Sequence, residues 1–418
     1  MPDFRARQSA VCFGEHPPSD FDRWAKRGLQ GWSFEDLLPA FRALESTDVG
    51  DPAWHGCTGP LAITQLVHND LSTMQRAFVD AALAQGIPEV DDFNGANPDG
   101  VGPYPMNVRD GVRINTGMAY LTEAVRARAN LTIRADILVD RVLVEDGRAA
   151  GVILADGTEI RAREVILSAG TYGSAAILLR SGIGPAGDLA ALDIPVVADL
   201  PVGLRLQDHP FYYNAYAADP ASIGEQTPVI GAKVWTASSR AAEGELDLHI
   251  TATHLFDHTT SPTGVGFVLA VALVRPHSQG TLTLVSRDPA AAPRIDINFL
   301  AEPDDRRPLI EGIELARRLG GTHPLADLID RELNPGPQAV HTAEIEASML
   351  ATLDTYHHPT STAPMGADDD PTAVTDRLGA VRGVPGLRVV DASIFPDVPS
   401  AATNLTVIAA AEHIARQI

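Results

Sequence analysis

The sequence predicts a mixed α/β protein whose two lobes are interleaved along the chain. With 418 residues, 45% of them hydrophobic, the chain can bury a large core and divide into two lobes. Helices and strands alternate up to about Pro201, and longer strands typical of an antiparallel sheet follow. Residues 386–418 then return to a strand, an irregular loop and a closing helix, and no low-complexity linker separates the parts.

Capping residues predict two helices in the first quarter of the chain. Ser33 precedes an apolar run with acidic residues in its first turn, so it is the expected N-cap. A second helix begins at Asp70 or Ser72 and ends at Gly86.

Residues 117–170 predict a helix followed by several strands. The tetrapeptides EDGR and ADGT lie between alternating apolar runs, which is typical of hairpin turns. After the last of these strands, a turn at Gly170 leads into a new helix. Such a turn directs backbone N–H groups toward a ligand and is suited to a phosphate.

Three glycines that follow this helix match the spacing G-x-G-x-x-G, namely Gly182, Gly184 and Gly187. A dinucleotide fingerprint should follow a strand and open a helix, but these glycines follow the apolar run AAILLRS, which has a helical pattern. We therefore interpret Gly182 as the residue that ends the helix.

The second lobe is predicted to be mainly antiparallel β-structure with two helices packed beside it. The expected strands lie within residues 244–256, 264–276, 280–288 and 293–300, and the helices within 304–321 and 342–353.

Charge and cysteine content exclude several functions. Acidic residues number 54 and basic residues 32, a net charge of −22, and no run of Lys or Arg provides the basic face of a nucleic-acid-binding protein. Cys12 and Cys57 cannot by themselves form a disulfide framework or a metal cluster. No segment has the length of a bilayer span or the pattern of a signal peptide, so we expect a cytoplasmic protein without a membrane partner.

Several motifs occur along the chain in a characteristic order. They include WHGCTGPL at 54–61, SAGTYGSAAILLRSGIGP at 168–185, LRLQDHP at 204–210, HHPTSTAPMG at 357–366 and the segment 386–415. Together they resemble the glucose–methanol–choline (GMC) oxidoreductases, which are FAD-dependent alcohol oxidases and dehydrogenases. The resemblance extends over nearly the whole chain.

The resemblance implies a Rossmann-like FAD-binding domain formed by residues 1–207 and 366–418. An antiparallel-sheet substrate domain, residues 208–365, is inserted into it. Members of the family open with a strand, a G-x-G-x-x-G turn, a helix and a second strand that ends in an acidic residue. This chain starts inside or just after the glycine-rich signature that follows, so it is expected to lack the N-terminal FAD-binding βαβ segment.

The resemblance also implies oxidation of the CH–OH group of a small or medium alcohol. That reaction needs a base for the hydroxyl proton while hydride passes to the flavin. His358 matches the family's catalytic histidine, and its alternative role is structural, as a donor to a backbone carbonyl. We assign His357 a structural role.

Asn404 matches the family position beside the catalytic histidine, where an amide can hydrogen-bond a substrate oxygen. Its alternative role is the N-cap of the last helix, with Thr406 inside that helix. In the family this helix N-terminus lies against the flavin, so we include both residues among the cofactor-binding candidates.

Three further residues are cofactor-binding candidates by resemblance. Asp391 and Ala392 match the stretch whose backbone approaches the diphosphate and ribityl chain, and Val139 matches a position whose backbone meets the adenine. The alternatives are an ordinary turn for Asp391 and an ordinary strand residue for Val139. Other family-motif residues are assigned to structure, namely Asp208, His209 and His277.

Two other functions remain open at this point. Some relatives are hydroxynitrile lyases that use the same histidine while FAD is structural, and a truncated chain could be an inactive or partner subunit. The flavin absorption of the purified protein separates the last possibility from the other two, and bleaching of that absorption by an alcohol separates oxidoreductase from lyase. No motif specifies the alcohol or the electron acceptor.

We predict that this chain alone binds FAD weakly or not at all. The first strand–turn–helix of the family holds the pyrophosphate, and a net charge of −22 does not help to retain a diphosphate. The measurement is the flavin content of the purified protein after extensive dialysis. Stoichiometric FAD retained by the chain would contradict the prediction.

Overall fold

A seven-stranded antiparallel sheet forms one half of the molecule in a computed structural model that describes residues 17–418. Smaller sheets and helices form the other half. The helices of this part of the chain are α1 Pro18–Lys26, α2 Phe34–Leu44, α3 Thr73–Ala84, α4 Thr116–Tyr120, α5 Glu123–Arg126, α6 Gly170–Arg180, α7 Ala186–Ala190, α8 Pro303–Gly320, α9 Thr342–Thr352 and α10 Thr403–Ala415.

The strands up to the centre of the chain are β1 Glu45–Ser46, β2 Leu61–Ala62, β3 Thr64–Gln65, β4 Gly100–Pro103, β5 Pro105–Met106, β6 Val108–Arg109, β7 Val112–Arg113, β8 Val139–Glu145, β9 Arg148–Leu154, β10 Glu159–Arg161 and β11 Val165–Leu167. Those that follow are β12 Pro210–Ala218, β13 Ile230–Thr236, β14 Leu248–Thr253, β15 Gly266–Leu273, β16 Thr281–Thr283, β17 Arg294–Asp296, β18 Ile329–Asn334, β19 Asp354–Thr355 and β20 Leu387–Val389.

The serine caps of α2 and α3 are as predicted. The Ser33 hydroxyl accepts a hydrogen bond from the Asp36 N–H, and the Ser72 hydroxyl accepts one from the Gln75 N–H. In both helices the side chain three residues later accepts a hydrogen bond from the backbone N–H of the cap. Ser72, and not Asp70, is therefore the cap of α3.

The predicted turns of the central segment are also confirmed. Hairpins join β8 to β9 and β9 to β10 at the EDGR and ADGT sequences. Gly182 follows the end of α6 with a φ of 80°, and a Cβ placed there would lie 2.2 Å from the Pro195 carbonyl oxygen. Gly182 thus ends the helix, as expected from the sequence.

Residues 127–138, between α5 and β8, form neither helix nor strand. The several strands that the sequence analysis expected after the helix are β8 to β11, and they begin only after this segment. The apolar side chains here are exposed, namely Leu131, Ile133, Ile137 and Leu138. Because a strand needs a hydrogen-bonded neighbour, apolar residues alone do not make this segment a strand.

The large sheet has the strand order β18–β12–β15–β14–β13–β4, and β19 pairs with the start of β12. Helices α3 and α8 cover one face. Side chains alternate cleanly along β15: Phe267, Leu269 and Val271 face these helices, whereas Ala270 and Ala272 belong to a separate cluster on the other face. Both faces are buried, so the strand is apolar throughout.

Strand β4 belongs to this sheet and helix α3 packs on it, although both elements precede residue 208 in the chain. β4 pairs with β13, and α3 packs on β13 and β14. These two elements therefore lie against the large sheet, while the predicted division of the chain into residues 1–207 with 366–418 and residues 208–365 stays a prediction. Strand β4 is rich in glycine, so its sequence has little of the apolar alternation by which a strand is predicted. Glycine is needed at residue 102 because a Cβ there would lie 1.9 Å from the Val90 carbonyl oxygen.

The end of the chain returns to the other half of the molecule. β20 pairs in parallel with β11, and α10 packs against α2. Between β20 and α10 runs an irregular segment, residues 395–402, which we call the 395–402 loop. Among residues 17–418, no helix combines the length and the apolar character that crossing a bilayer requires. Cys57 is an exposed free thiol, and Cys12 lies outside the described residues.

A buried cluster of charges holds the 395–402 loop against α1. The Arg23 guanidinium lies 2.9 Å from both Asp397 and Asp20 and 3.2 Å from Glu245. The Trp24 indole N–H donates to Asp397 over 2.7 Å. Burial raises the pKa of Asp397, but the positive charge and hydrogen bonds of Arg23 outweigh this effect, so its pKa is below the ordinary value.

We predict that Asp397→Asn destabilises the protein by about 1.5–3 kcal/mol, because the buried Arg23 loses one charged hydrogen-bond partner while Asp20 and Glu245 remain. A lowered pKa means that this stabilisation is present above the pKa of the unfolded carboxyl, about 3.9, and is lost as the pH falls below it. Urea unfolding measured at neutral and acidic pH tests both statements. Glu145→Gln, which breaks an exposed pair with Arg161, is the control and should change little. Equal stability of Asp397→Asn and the wild type would contradict the prediction.

Candidate active site

Two histidines meet between the large sheet and the 395–402 loop. The Nδ1 atoms of His358 and His209 lie 3.1 Å apart, and the two rings are edge to face. The other ring nitrogen of His209, Nε2, lies 2.9 Å from the Pro399 carbonyl oxygen. His209 is buried, whereas His358 is partly exposed.

These contacts determine which nitrogen carries hydrogen in each ring. A carbonyl oxygen only accepts, so Nε2 of His209 must be the donor to Pro399. Burial lowers the pKa of His209 well below 6.5, so the ring is neutral and its Nδ1 is an acceptor. His358 must then donate from Nδ1, which leaves the lone pair of His358 on Nε2.

His358 itself is neutral at physiological pH. Burial, and to a smaller extent the charge of His357, lower its pKa to about 3. A neutral imidazole with a lone pair on Nε2 is the form that can accept a proton.

Asp208 joins the two chain segments that carry the histidines. Its carboxylate accepts hydrogen bonds from the backbone N–H groups of His209 and His358 and from the Thr355 hydroxyl. The pairing of β19 with β12 brings Thr355 opposite Pro210, directly after His209. The sequence analysis assigned Asp208 and His209 to structure, but the structure places both against His358. The sequence feature that could have indicated their place in the site is this polar pair, which lies immediately before the long strand β12.

Tyr356 is a residue of the site that the sequence analysis missed. Its ring stacks on Phe211 at 4.4 Å and lies 4.5 Å from the His358 ring. Its hydroxyl lies 3.4 Å from Thr251 Oγ1 and 3.5 Å from the Tyr104 hydroxyl. Tyr356 is partly exposed, so it forms an aromatic wall beside His358.

Asn404 is not the N-cap of the last helix, which was its alternative role. The cap position of α10 is Ala402, which cannot cap with a side chain, and Asn404 is the second helical residue. Asn404 is partly exposed, and Thr406 is buried with no hydrogen-bond partner for its hydroxyl among the described residues. The bond to Pro399 brings the segment before α10 against the histidine pair. Direct contact of His358 with Asn404 stays a prediction.

Asp391 occupies the N-terminus of α6. Its carboxylate accepts from the Gly170 N–H at 3.0 Å and the Ser174 hydroxyl at 2.5 Å, and also from the N–H and hydroxyl of Ser393. An acidic side chain of this chain therefore takes the position that a phosphate could have occupied. The turn at Gly170 is a structural corner.

The remaining cofactor candidates lie on the same half of the molecule. Val139 begins β8 and is partly buried, and the Ala392 carbonyl accepts from the Ser361 N–H. The N-terminus of α10 has no side-chain cap, so its N–H groups and Asn404 fit the electron-rich edge of a flavin. Among residues 17–418, the strand–glycine–helix corner between β11 and α6 is already filled by Asp391 and does not fit a diphosphate. No metal-binding group of three or more His, Cys, Asp or Glu residues occurs in this range.

The surroundings of His55 raise the pKa of its ring, whereas those of His358 lower it. Burial alone would lower the pKa of His55, but its ring nitrogens bond Asp92 at 2.8 Å and Glu45 at 3.0 Å, which raises the pKa to about 10. His55 is therefore protonated at neutral pH.

Comparisons with known proteins agree over almost the whole chain. Models of GMC oxidoreductase match residues 10–211 and 276–411. The oxygen-dependent choline dehydrogenase of Paraburkholderia phymatum is 36% identical over 443 residues, covering 98% of this chain and 77% of the relative. The crystal structure of pyridoxine 4-oxidase from Mesorbium loti is 30% identical, with a TM-score of 0.88, over 97% of this chain and 81% of that one. Aspergillus oryzae formate oxidase, 24% identical with a TM-score of 0.85 over 98% of this chain and 81% of that one, has the same fold.

We predict that His358 and His209 stay neutral while His55 stays protonated between about pH 5 and about pH 8, because their environments shift the three pKa values in opposite directions. Long-range proton–nitrogen NMR of the ¹⁵N-histidine-labelled protein should show hydrogen on Nδ1 of His358 and on Nε2 of His209. Single substitutions assign the signals, and His55 is the internal contrast. Titration of His358 near the ordinary value of about 6.5 would contradict the assignment.

Proposed function

Since the chain belongs to the GMC oxidoreductase family and its cofactor is FAD, we propose that it oxidises the CH–OH group of a small or medium alcohol. The names of two relatives support this substrate class, since choline and pyridoxine are both alcohols.

The observation that carries the proposal is the hydrogen-bonded histidine pair. Because Nδ1 of His358 is committed to His209, the free lone pair of the neutral His358 ring is on Nε2. His358 is partly exposed, so this ring can meet a substrate hydroxyl. The lone pair supports a role as the base that takes the hydroxyl proton.

Three residues of the site have distinct roles in this reaction. His358 accepts the proton of the alcohol at Nε2, and His209 keeps the His358 ring in the required tautomer and orientation. The Asn404 amide donates a hydrogen bond to the substrate oxygen without competing for its proton. When bound, FAD supplies the acceptor for the hydride that leaves the carbon.

The residues that would hold the cofactor lie on the half of the molecule that carries α10. Asn404 and the first turn of α10 would meet the flavin ring, with Thr406 in the following turn. The backbone at Ala392 would meet the ribityl chain, and Val139 would meet the adenine.

We predict that His358→Ala lowers kcat by about 10²–10⁴-fold in protein supplied with FAD, because the variant lacks the acid–base group. Steady-state oxidation of an alcohol series measures the effect. His357→Asn is the matched control, since His357 is exposed and asparagine tolerates its φ of 64°; it should retain most of the activity.

Anaerobic mixing with an alcohol is an independent measurement. Loss of the flavin absorption in the wild type and not in His358→Ala supports the proposal. A fully active His358→Ala variant, or turnover without any change in flavin absorption, would count against it.

A further inference from the structure

Three arginines line a cavity beside β8 and the end of α6. The cavity has a volume of about 360 Å³, which lies in the range of about 300–1,000 Å³ that is typical of small-molecule sites. Its walls come from β8, α6, the segment after α7 and the connection between β16 and β17. The lining residues are Asp140, Arg141, Arg180, Ile194, Pro195 and Arg287.

An irregularity in β8 brings two consecutive side chains to this cavity. The pairing of β8 with β9 shifts register between Val139 and Arg141, so Asp140 has no partner residue in β9. Successive side chains of a regular strand point to opposite faces, whereas an extra residue in one strand re-aims a side chain. Asp140 and Arg141 therefore both line the cavity, and the Arg141 guanidinium pairs with the Asp140 carboxylate.

Arg180 is the buried arginine of this group, with a side chain that is 6% exposed. Its Nε donates to the carbonyl oxygen of Asp140 over 2.9 Å and to the carboxylate of the same residue over 3.0 Å. Within residues 17–418, neither Nη nitrogen of Arg180 forms a hydrogen bond. Because a guanidinium has five N–H donors, this buried group keeps donors for a ligand in the cavity.

The cavity has a net positive charge. Asp140 supplies the one carboxylate among its described lining residues, and this carboxylate pairs with both Arg180 and Arg141. Arg287 donates to the backbone carbonyl of Asp193 over 3.1 Å and forms no ion pair in the described part of the chain. Three guanidinium charges and one carboxylate charge leave two positive charges here, in a chain whose net charge is −22.

We propose that this cavity binds the phosphate group of a small phosphorylated molecule. A phosphate monoester has a charge of about −1.5 to −2 at pH 7 and three strong acceptor oxygens, which match two positive charges, whereas a carboxylate brings one negative charge. Guanidinium groups donate in parallel pairs to phosphate oxygens, and Ile194 offers an apolar contact to the rest of the ligand. The ligand is distinct from FAD, because none of the cofactor-binding candidates, Val139 included, lines the cavity.

Phenyl phosphate and benzenesulfonate form a matched pair of probes, because they have similar shapes and differ by one negative charge. Isothermal titration calorimetry of the full chain, above the second pKa of a phosphate at about 6, measures the dissociation constant of each probe. We expect phenyl phosphate to bind at least about tenfold more tightly, and its affinity to fall as the salt concentration rises. A titration in the presence of FAD should give the same dissociation constant.

Two exposed arginines allow the cavity to be tested without a change in the core. Arg141→Gln and Arg287→Gln each remove one positive charge and should each weaken the binding of phenyl phosphate by about tenfold. Arg161→Gln is the matched control, since Arg161 is an exposed arginine of β10 that does not line the cavity. Thermal melting followed by circular dichroism shows that each variant is folded, and phenyl phosphate should raise the melting temperature of the wild type more than that of either cavity variant.

Three results would overturn the proposal. The first is equal affinity of the wild type for the two probes, or no binding of phenyl phosphate. The second is an affinity for phenyl phosphate that folded Arg141→Gln and Arg287→Gln leave unchanged. The third is displacement of phenyl phosphate by FAD, which would make the cavity part of the cofactor site. None of these measurements depends on oxidation of an alcohol, so they test the cavity separately from the proposed function.

Discussion

The hydrogen bond from His209 to the Pro399 carbonyl is the constraint on which the site depends. It assigns the hydrogen to Nε2 of His209, makes Nδ1 the acceptor for His358, and so leaves the lone pair of His358 on Nε2. The carbonyl is in place because the 395–402 loop is held on its other side. The N–H and hydroxyl of Ser400, the residue after Pro399, both donate to the buried Asp20 on α1. The orientation of the His358 ring therefore depends on the packing of α1.

Local environment, and not residue type, decides the charge of each buried group in this protein. His358 is neutral because desolvation of its ring lowers its pKa and no carboxylate bonds to the ring, whereas His55 is protonated because two carboxylates bond to its ring. The same residue type therefore has a lowered pKa in one place and a raised pKa in the other.

The fold brings the site together from segments that are far apart in the sequence. The start of β12 supplies His209, the turn after β19 supplies Tyr356 and His358, and the 395–402 loop lies against them. Each segment is irregular but is attached to a regular strand or helix. The large sheet, buried on both faces, therefore serves as the rigid support, and the small alanines of β15 leave room for Tyr356 beside Phe211.

The sequence by itself determined the local structure of this protein. The serine caps of α2 and α3, the two hairpins and the end of α6 at Gly182 depend on neighbours within a few residues, so a sequence pattern is enough to predict them. Only the tertiary structure decided that β4 joins the large sheet, that Asp391 fills the corner at Gly170, and that His209 faces His358 across 149 residues of chain. Those contacts depend on strand register and on packing between distant segments, and no local pattern encodes either.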